Sequence, residues 1–428
     1  MSSLEVQDMT CLAEGVVYPA DFNKTGLNLN EIVVGGTGCG KSVSVAYSRL
    51  VHTANSSVVV PITKRAIRDR FAGMFQKRGY RVVELDFTKN GGSNLGYDPM
   101  DYIRCTDDTV ALAKNIVEAF GENRGGGKID PYWYNSAASV LAAEIELIRL
   151  NAGYAGKRPR FIEVIELHRS IRFNNTAMKE MSKINIDYLF DAAEERYPGN
   201  AACELWRTIK NLSVTTASCI LSTLNASVDK MFTKTVMKVL EKEECFAFKS
   251  LGEEKTAVFI TTPPMNKASQ CFVNLLYADL FRELFETAED RDCGRLAVPV
   301  HIICDDFACG SRILDFEDYI SVFRAAGISV TLLLQSESQL ISMYGEHAAT
   351  TIINNCDTYV YMGGTDRETC QNISYRLDKP LHMIMSMPLE QVVVFRRGAN
   401  PIVSRRYQTL EDPVYKELVG DDEERFRQ

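Results

Sequence analysis

The sequence has little that would support a metal centre bound by cysteine and histidine. Its 12 cysteines occur singly, without any Cys-x-x-Cys pair, and only 5 histidines accompany them. Because zinc sites need clustered ligands, we do not expect cysteine-bound metal. Scattered thiols in a long chain fit a reducing compartment, where cysteine behaves as a small apolar residue. The sequence therefore predicts free thiols and a cytoplasmic location.

Long hydrophobic runs are also missing. A membrane helix requires about 18 or more largely apolar residues. The most apolar segments, Val298–Cys304 and Ile328–Leu334, are far shorter and instead predict core strands. The first residues, MSSLEVQDMTCLAEG, have neither the basic start nor the apolar stretch of a signal peptide. As given, the sequence predicts a soluble protein.

An excess of basic charge is absent too. The formal net charge of -8 argues against a wholly basic nucleic-acid binder. It does not exclude a narrow basic channel or a basic set of loops, because net charge averages over the whole surface. The candidate clusters are Lys64–Arg70 and Arg396–Arg406. The alternative for each cluster is a solvated surface.

The sequence does contain a regular alternation of predicted strands and helices. With 428 residues, of which 46% are apolar, the chain can form more than one domain. Strands expected at 31–34, 57–60 and 80–87 alternate with helices at 42–50 and 64–78, which predicts an α/β fold with a parallel sheet. Residues 101–249 show helical spacing and predict a mostly helical insertion. Strands resume at 256–261, 298–304, 328–335 and 358–362, a hairpin over 391–407 closes the fold, and the polar tail after 412 is expected to fray.

One loop carries a specific chemical signal. The eight residues that follow the first of these strands match G-x-x-x-x-G-K-[ST]; they are Gly35, Gly36, Thr37, Gly38, Cys39, Gly40, Lys41 and Ser42. Glycines let successive backbone N–H groups turn toward phosphates. Lys41 would then contact the β- and γ-phosphates, and the Ser42 hydroxyl would ligate Mg²⁺. This pattern predicts an ATP site.

Such a site needs an acidic residue at the end of a neighbouring strand. The best candidates are Asp305 and Asp306, where an apolar run stops abruptly at paired acids. Asp305 would hold Mg²⁺, and Asp306 would position the attacking water. The alternative is that both acids merely end a strand in solvent. The long separation from Lys41 favours a motor-type core with an inserted domain over a simple nucleotide kinase.

Three further residues have open interpretations. Gln335 ends the next strand and would bind the γ-phosphate or its attacking water, unless it is a buried amide satisfied by backbone. Arg324 precedes that strand and is either an arginine finger for a neighbouring subunit or a solvated side chain. Cys39 is either a reactive thiol that bound ATP would protect or a shielded small residue.

Several stretches, taken in order, resemble the coupling ATPases of conjugation and type IV secretion (the TraG/TraD type), within the wider RecA-like family. The stretches are Thr25–Asn28, Lys77–Val82, Ser93–Pro99, Asp130–Trp133, Asp305–Ala308, Gly327–Leu340 and Asn355–Gly364. The resemblance covers roughly residues 25–410. Its most particular part is the segment between residues 305 and 364, since phosphate loops alone occur in many families.

The resemblance implies a RecA-like nucleotide-binding domain formed by residues 1–100 and 211–412, an all-helical domain inserted at 101–210, and a polar tail at 413–428. It also implies assembly into a ring around single-stranded DNA, delivery of a relaxase–DNA substrate, and type IV secretion components as partners. Members usually begin with membrane helices, which the given sequence lacks. We therefore expect a monomer or weak oligomer when pure, ring formation promoted by ATP, single-stranded DNA or a separate membrane partner, and any membrane attachment through partners.

Two departures from the family pattern concern chemistry. Pro61–Lys64 stands where members usually have Asp-Pro-Lys-Gly, and Asp306 stands where they usually have Glu. Aspartate is one methylene shorter, and a misplacement of about 1 Å can cost about 10²-fold in rate. The leading hypothesis is an ATP-driven DNA pump for secretion. The alternatives are a slow-turnover docking module and a DNA pump unrelated to secretion.

Overall fold

The computed structural model describes residues 8–63, 65–89, 91–119, 130–172, 184–305, 307 and 312–419. The strands of these residues are β1 (Met9–Ala13), β2 (Val16–Pro19), β3 (Glu31–Val34), β4 (Ser57–Ile62), β5 (Arg81–Asp86), β6 (Thr256–Thr261), β7 (Val300–Cys304), β8 (Ile328–Leu334), β9 (Thr358–Tyr361), β10 (Gln391–Arg396) and β11 (Ile402–Arg405).

The helices of the same residues are α1 (Phe22–Thr25), α2 (Ser48–Val51), α3 (Arg65–Lys77), α4 (Thr106–Glu118), α5 (Pro131–Ala155), α6 (Phe161–Ser170), α7 (Asp187–Arg196), α8 (Ala201–Lys210), α9 (Val214–Met231), α10 (Lys234–Leu240), α11 (Ser250–Glu253), α12 (Lys267–Glu289), α13 (Phe316–Ala326), α14 (Glu337–Tyr344), α15 (Glu346–Asn354), α16 (Arg367–Leu377), α17 (Leu381–Met385) and α18 (Pro413–Val419). A π-helical segment, Ser42–Tyr47, leads directly into α2. Short 3₁₀ turns lie at Pro99–Tyr102 and Thr409–Glu411.

A large sheet organises the fold. Within the described residues it has the order β11-β10-β9-β3-β8-β7-β4-β6-β5. From β9 to β5 the neighbouring strands are parallel, whereas β10 pairs antiparallel with both β9 and β11. The predicted α/β class and the closing hairpin are thus confirmed. The β1–β2 hairpin was not predicted from these short strands, although Gly15, with a φ of 71°, marks its turn.

The central strands are apolar because helices cover both faces of a parallel sheet. Every residue of β3 and β8 is buried. On one face, the Phe71 ring of α3 lies 5.1 Å from the Tyr47 ring and 6.4 Å from the Tyr415 ring. Burying a side chain of this size stabilises the fold by about 1.5–3 kcal/mol.

Tyr415 also corrects the prediction of a polar tail from residue 413. Its side chain is only 4% exposed, and it lies in α18 with Val414, Leu418 and Val419 packed against the same core. These four residues have helical spacing and form one apolar face, which anchors the segment. Residues 420–428 lie outside the described part of the chain.

The chain divides into two compact units. The sheet unit comprises the described parts of Met1–Asn94, Phe246–Gln270 and Leu280–Gln428, and the helical unit comprises those of Leu95–Cys245 with Cys271–Asp279. The helical unit thus extends beyond the expected end at residue 210, because α9 packs against α4 and α5. The loop predicted within residues 121–128 lies outside the described residues. Among the described helices, none is long and apolar enough to cross a membrane.

Tyr97 and Asp98 belong to Ser93–Pro99, one of the stretches that resemble the coupling ATPases. Both residues have a structural role within the helical unit. The Asp98 carboxylate accepts hydrogen bonds from the backbone N–H of Met100 (3.0 Å) and of Phe161 (3.2 and 3.1 Å), so it caps two helical segments. The Tyr97 hydroxyl donates to Asp279 at 2.6 Å. Burial raises the pKa of Asp98 to about 6, against the ordinary 3.8.

Candidate functional site

Three neighbouring strands bring predicted site residues together at the carboxyl ends of the parallel sheet. β3, β8 and β7 are consecutive in the strand order, and they end just before Gly35, Gln335 and Asp305 respectively. The Gly35 N–H donates to the Leu334 carbonyl at 3.1 Å, which places Gln335 beside the first glycine of the loop. Ligands of open α/β sheets bind outside these carboxyl ends.

The backbone of the phosphate loop depends on its glycines. Gly38 and Gly40 have φ values of 79° and 86°, in the left-handed region that side chains disfavour. At Gly35, an added Cβ would lie 2.6 Å from the Cys39 sulfur and 2.9 Å from the Met362 Cβ. Glycine is therefore required at these positions for conformation or for close packing.

Lys41 points into the loop that it follows. Its Nζ donates to the carbonyls of Gly35 at 2.6 Å and Gly36 at 3.2 Å, and the residue is only 8% exposed. The ammonium group is thus held among the loop's own carbonyl dipoles. Phosphate oxygens would be stronger acceptors than these carbonyls, because hydrogen bonds between charged groups are about twice as strong as neutral ones.

Ser42 and Asp305, which lie far apart in sequence, are in direct contact. The Ser42 hydroxyl lies 2.9 Å from Asp305 Oδ1 and 2.8 Å from Oδ2, and it donates to this carboxylate. No cluster of three or more His, Cys, Asp or Glu side chains able to hold a metal occurs in the described part of the chain. A hydroxyl and one carboxylate nevertheless suit Mg²⁺, which prefers oxygen ligands and takes its others from water and phosphate.

Buried polar side chains form a chain of hydrogen bonds across β7, β8 and β3. His301 of β7 hydrogen-bonds Ser329 at 2.6 Å and Thr331 at 2.9 Å, and Thr331 donates to Glu31 of β3 at 2.8 Å. Burial, together with the nearby Arg49 cation, lowers the pKa of His301 well below its ordinary value. The imidazole is therefore neutral and links the acid-bearing strand to the phosphate-loop strand.

One of the remaining candidates, Arg324, is not part of this cluster. Arg324 lies in the last turn of α13, just before β8 begins, and is exposed. It thus lies next to the amino end of β8, whereas the phosphate loop lies at the carboxyl ends of the strands. Asp306 lies outside the described residues, and its role stays a prediction.

The loop cysteine is shielded. Cys39 is 4% exposed, and its sulfur lies 3.9 Å from Lys41 Nζ. Of the two interpretations of Cys39, this burial favours the small shielded residue over the reactive thiol. Burial and then Asp305 raise the pKa of Cys304, beside the site, to about 12.

The Arg396–Arg406 cluster is largely engaged within the protein. The Arg396 guanidinium lies 3.5 Å from the centre of the Tyr18 ring, and Arg397 pairs with Asp357 at 3.2 Å. Arg406 Nη1 donates to the Cys39 carbonyl at 2.6 Å. This last contact joins residues far apart in sequence, and no motif or spacing would have indicated it.

The cluster at residues 64–70 is similarly paired. Arg65 contacts Asp86 at 2.6 Å, and Arg68 contacts Glu84 at 2.5 Å. Lys64 lies outside the described residues. The carboxylates of Asp86, Glu84 and Asp357 reduce the positive charge that the two clusters offer to DNA.

Comparisons with known proteins agree with this architecture. The family model for type IV secretory system conjugative DNA transfer matches residues 8–379. No curated protein matches the chain significantly.

Solved structures share the fold at low identity. The unbound bacterial conjugative coupling protein TrwBdeltaN70 is 19% identical with a TM-score of 0.63, and the match covers 95% of this chain and 89% of that chain. The plasmid coupling protein TrwB in complex with ADP and Mg²⁺ is 19% identical with a TM-score of 0.61, covering 95% and 90%. VirB4 of Thermoanaerobacter pseudethanolicus is 11% identical with a TM-score of 0.58, covering 96% and 98%.

Proposed function

Because the chain belongs to the type IV secretory system family for conjugative DNA transfer, we propose that it is a coupling ATPase. It binds ATP with Mg²⁺ and uses hydrolysis to drive single-stranded DNA, or a relaxase–DNA complex, toward a secretion channel. Its partners are then type IV secretion components, which hold it at the inner face of the membrane. TrwB, which shares the fold, has been solved in complex with ADP and Mg²⁺ and with a non-hydrolysable ATP analogue.

The observation that carries this proposal is the contact between Ser42 and Asp305 beside the glycine loop. In this assignment the loop N–H groups bind the phosphates, and Lys41 exchanges the carbonyls of Gly35 and Gly36 for phosphate oxygens. Ser42 and Asp305 together hold Mg²⁺. When bound, the ion neutralises charge on the β- and γ-phosphates.

Hydrolysis also requires a positioned water and charge stabilisation from elsewhere. Gln335 also lies at the carboxyl ends of the strands, and Asp306 follows the metal-holding Asp305, so both are assigned to the attacking water. Arg324 is assigned to the nucleotide of an adjacent subunit, because in its own chain it lies next to the amino end of β8. This division of roles makes turnover depend on a homo-oligomeric ring.

A second function, a slow-turnover docking module, is favoured by two observations. Asp306 is shorter than the expected glutamate, and the two basic clusters are largely paired within the protein. Such a module would bind ATP and recruit substrate, but DNA would not accelerate its turnover.

The test is ATP-analogue binding and steady-state ATPase activity, with and without single-stranded DNA. Lys41→Ala should abolish binding or turnover, because it removes a phosphate contact without opening a core cavity. Lys379→Ala, which removes an exposed lysine, is the matched control. Parent-like binding and hydrolysis in Lys41→Ala would refute the site. DNA-stimulated turnover supports the pump, and ATP binding without stimulation supports the docking module.

A further inference from the structure

Two hydrogen bonds orient the peptide groups of the phosphate loop from outside. In a trans peptide the C=O and the following N–H point in opposite directions. The Gly36 N–H donates to the Gly363 carbonyl at 2.8 Å, so the Gly35 carbonyl faces the other way, where Lys41 Nζ binds it at 2.6 Å. The first half of the loop is thereby set by the segment after β9.

Arg406 does the same for the second half of the loop. Its Nη1 donates to the Cys39 carbonyl at 2.6 Å, so this carbonyl points toward Arg406. The Gly40 N–H belongs to the same peptide group and therefore points in the opposite direction, away from Arg406. Inward N–H groups are the ones that bind phosphate in loops of this sequence type.

The guanidinium is built into this position. An added Cβ at Gly40 would lie only 2.6 Å from Arg406 Nη1, so the cation packs directly over the glycine. The Arg406 backbone N–H donates to the Glu390 carbonyl at 2.8 Å, and Thr409 Oγ1 donates to the Ser44 carbonyl at 3.4 Å. The first contact joins the segment after β11 to the residue that precedes β10, and the second joins it to the π-helical segment that follows the loop.

We propose that Arg406 is a positioning residue of the nucleotide site. It acts through the Cys39–Gly40 peptide, which it holds with the Gly40 N–H toward the phosphates, and it makes the segment after β11 part of phosphate recognition. The proposal rests on the proposed function, since it requires that the loop bind nucleotide. It predicts an effect on any ligand that places phosphates in the loop, whether or not that ligand carries a base.

The experiment measures the affinities of ADP and inorganic pyrophosphate for Arg406→Ala, Arg406→Lys and the parent. Loss of one charge-assisted hydrogen bond should weaken both ligands by about tenfold in Arg406→Ala. Arg406→Lys can still donate to the Cys39 carbonyl and should stay within about threefold of the parent. Arg405→Ala removes the same charge from the exposed neighbouring residue and should match the parent.

Parent-like affinity for both ligands in Arg406→Ala would overturn the proposal. Weakening of ADP alone would overturn it too, because it would indicate contact with the base or ribose. The melting temperature without ligand checks folding, and rescue by Arg406→Lys separates positioning from a general loss of structure. Failure of the parent itself to bind ADP would overturn the proposed function, which is a distinguishable result.

Discussion

The contact between Ser42 and Asp305 allows a quantitative prediction for Asp305→Asn. Asparagine has nearly the same shape, and its carbonyl oxygen can still accept the Ser42 hydroxyl, which now lies 2.8 and 2.9 Å from the two carboxylate oxygens. The substitution removes one oxygen acceptor and the negative charge. The expected defect is therefore electrostatic and specific to Mg²⁺.

Its size follows from the surroundings of the carboxylate. The single negative charge of Asp305 and the double positive charge of Mg²⁺, taken about 4 Å apart, interact by about 2 kcal/mol in water and about 8 kcal/mol near a protein surface. Asp305 is half-buried, so a value between these limits, about 2–3 kcal/mol, is appropriate. This corresponds to about a 30- to 150-fold rise in the half-saturating Mg²⁺ concentration.

The assay is a Mg²⁺ titration of ATP turnover, repeated as a titration of ATP-analogue binding. Asp318→Asn removes the same charge from an exposed position on α13 and is the control. An unchanged half-saturating concentration in Asp305→Asn would refute the metal assignment. An equal rise in the half-saturating Mg²⁺ concentration in Asp318→Asn would show that the substitution acts only through the overall electrostatic potential of the protein.

Three other predictions follow from the site and the helical unit. Asp306→Glu should raise steady-state ATPase activity by restoring the reach of the water-positioning acid; an unchanged rate would assign that role to another residue. Cys39 should react with a maleimide at least about tenfold more slowly than the exposed Cys105 and Cys219, with or without ATP, because its thiol is buried. Fast labelling of Cys39 that ATP blocks would instead support the interpretation of Cys39 as a reactive thiol. The pKa of Asp98 is raised to about 6 in the folded chain, so the folded state holds this proton more tightly than the unfolded state. Its contribution to the free energy of unfolding should fall by up to about 3 kcal/mol as the pH rises from about 4 to 6. In Asp98→Asn, the free energy of unfolding measured with urea should not show this fall with pH. The same fall in the variant as in the parent would contradict the raised pKa of Asp98.

The sequence alone determined the features whose physics is local. A glycine loop between a strand and a helix requires only backbone freedom within a few residues, so the segment from Gly35 to Ser42 could be identified directly. The α/β class followed from short apolar runs that alternate with helical spacing. The acids after residue 304 were recognisable because a buried strand stops abruptly at charged residues.

The tertiary structure decided which distant residues meet. Strand order places β8 between β3 and β7, and only that order brings Asp305 to Ser42 while leaving Arg324 next to the amino end of β8. The docking of the segment after β11 brings Arg406 to a loop 367 residues earlier. Helix and strand periodicities relate only residues that are close in sequence, so they could not have indicated this contact. The burial of Cys39 and Tyr415 is also decided by tertiary packing, because exposure is set by what packs around a side chain and not by its neighbours in sequence.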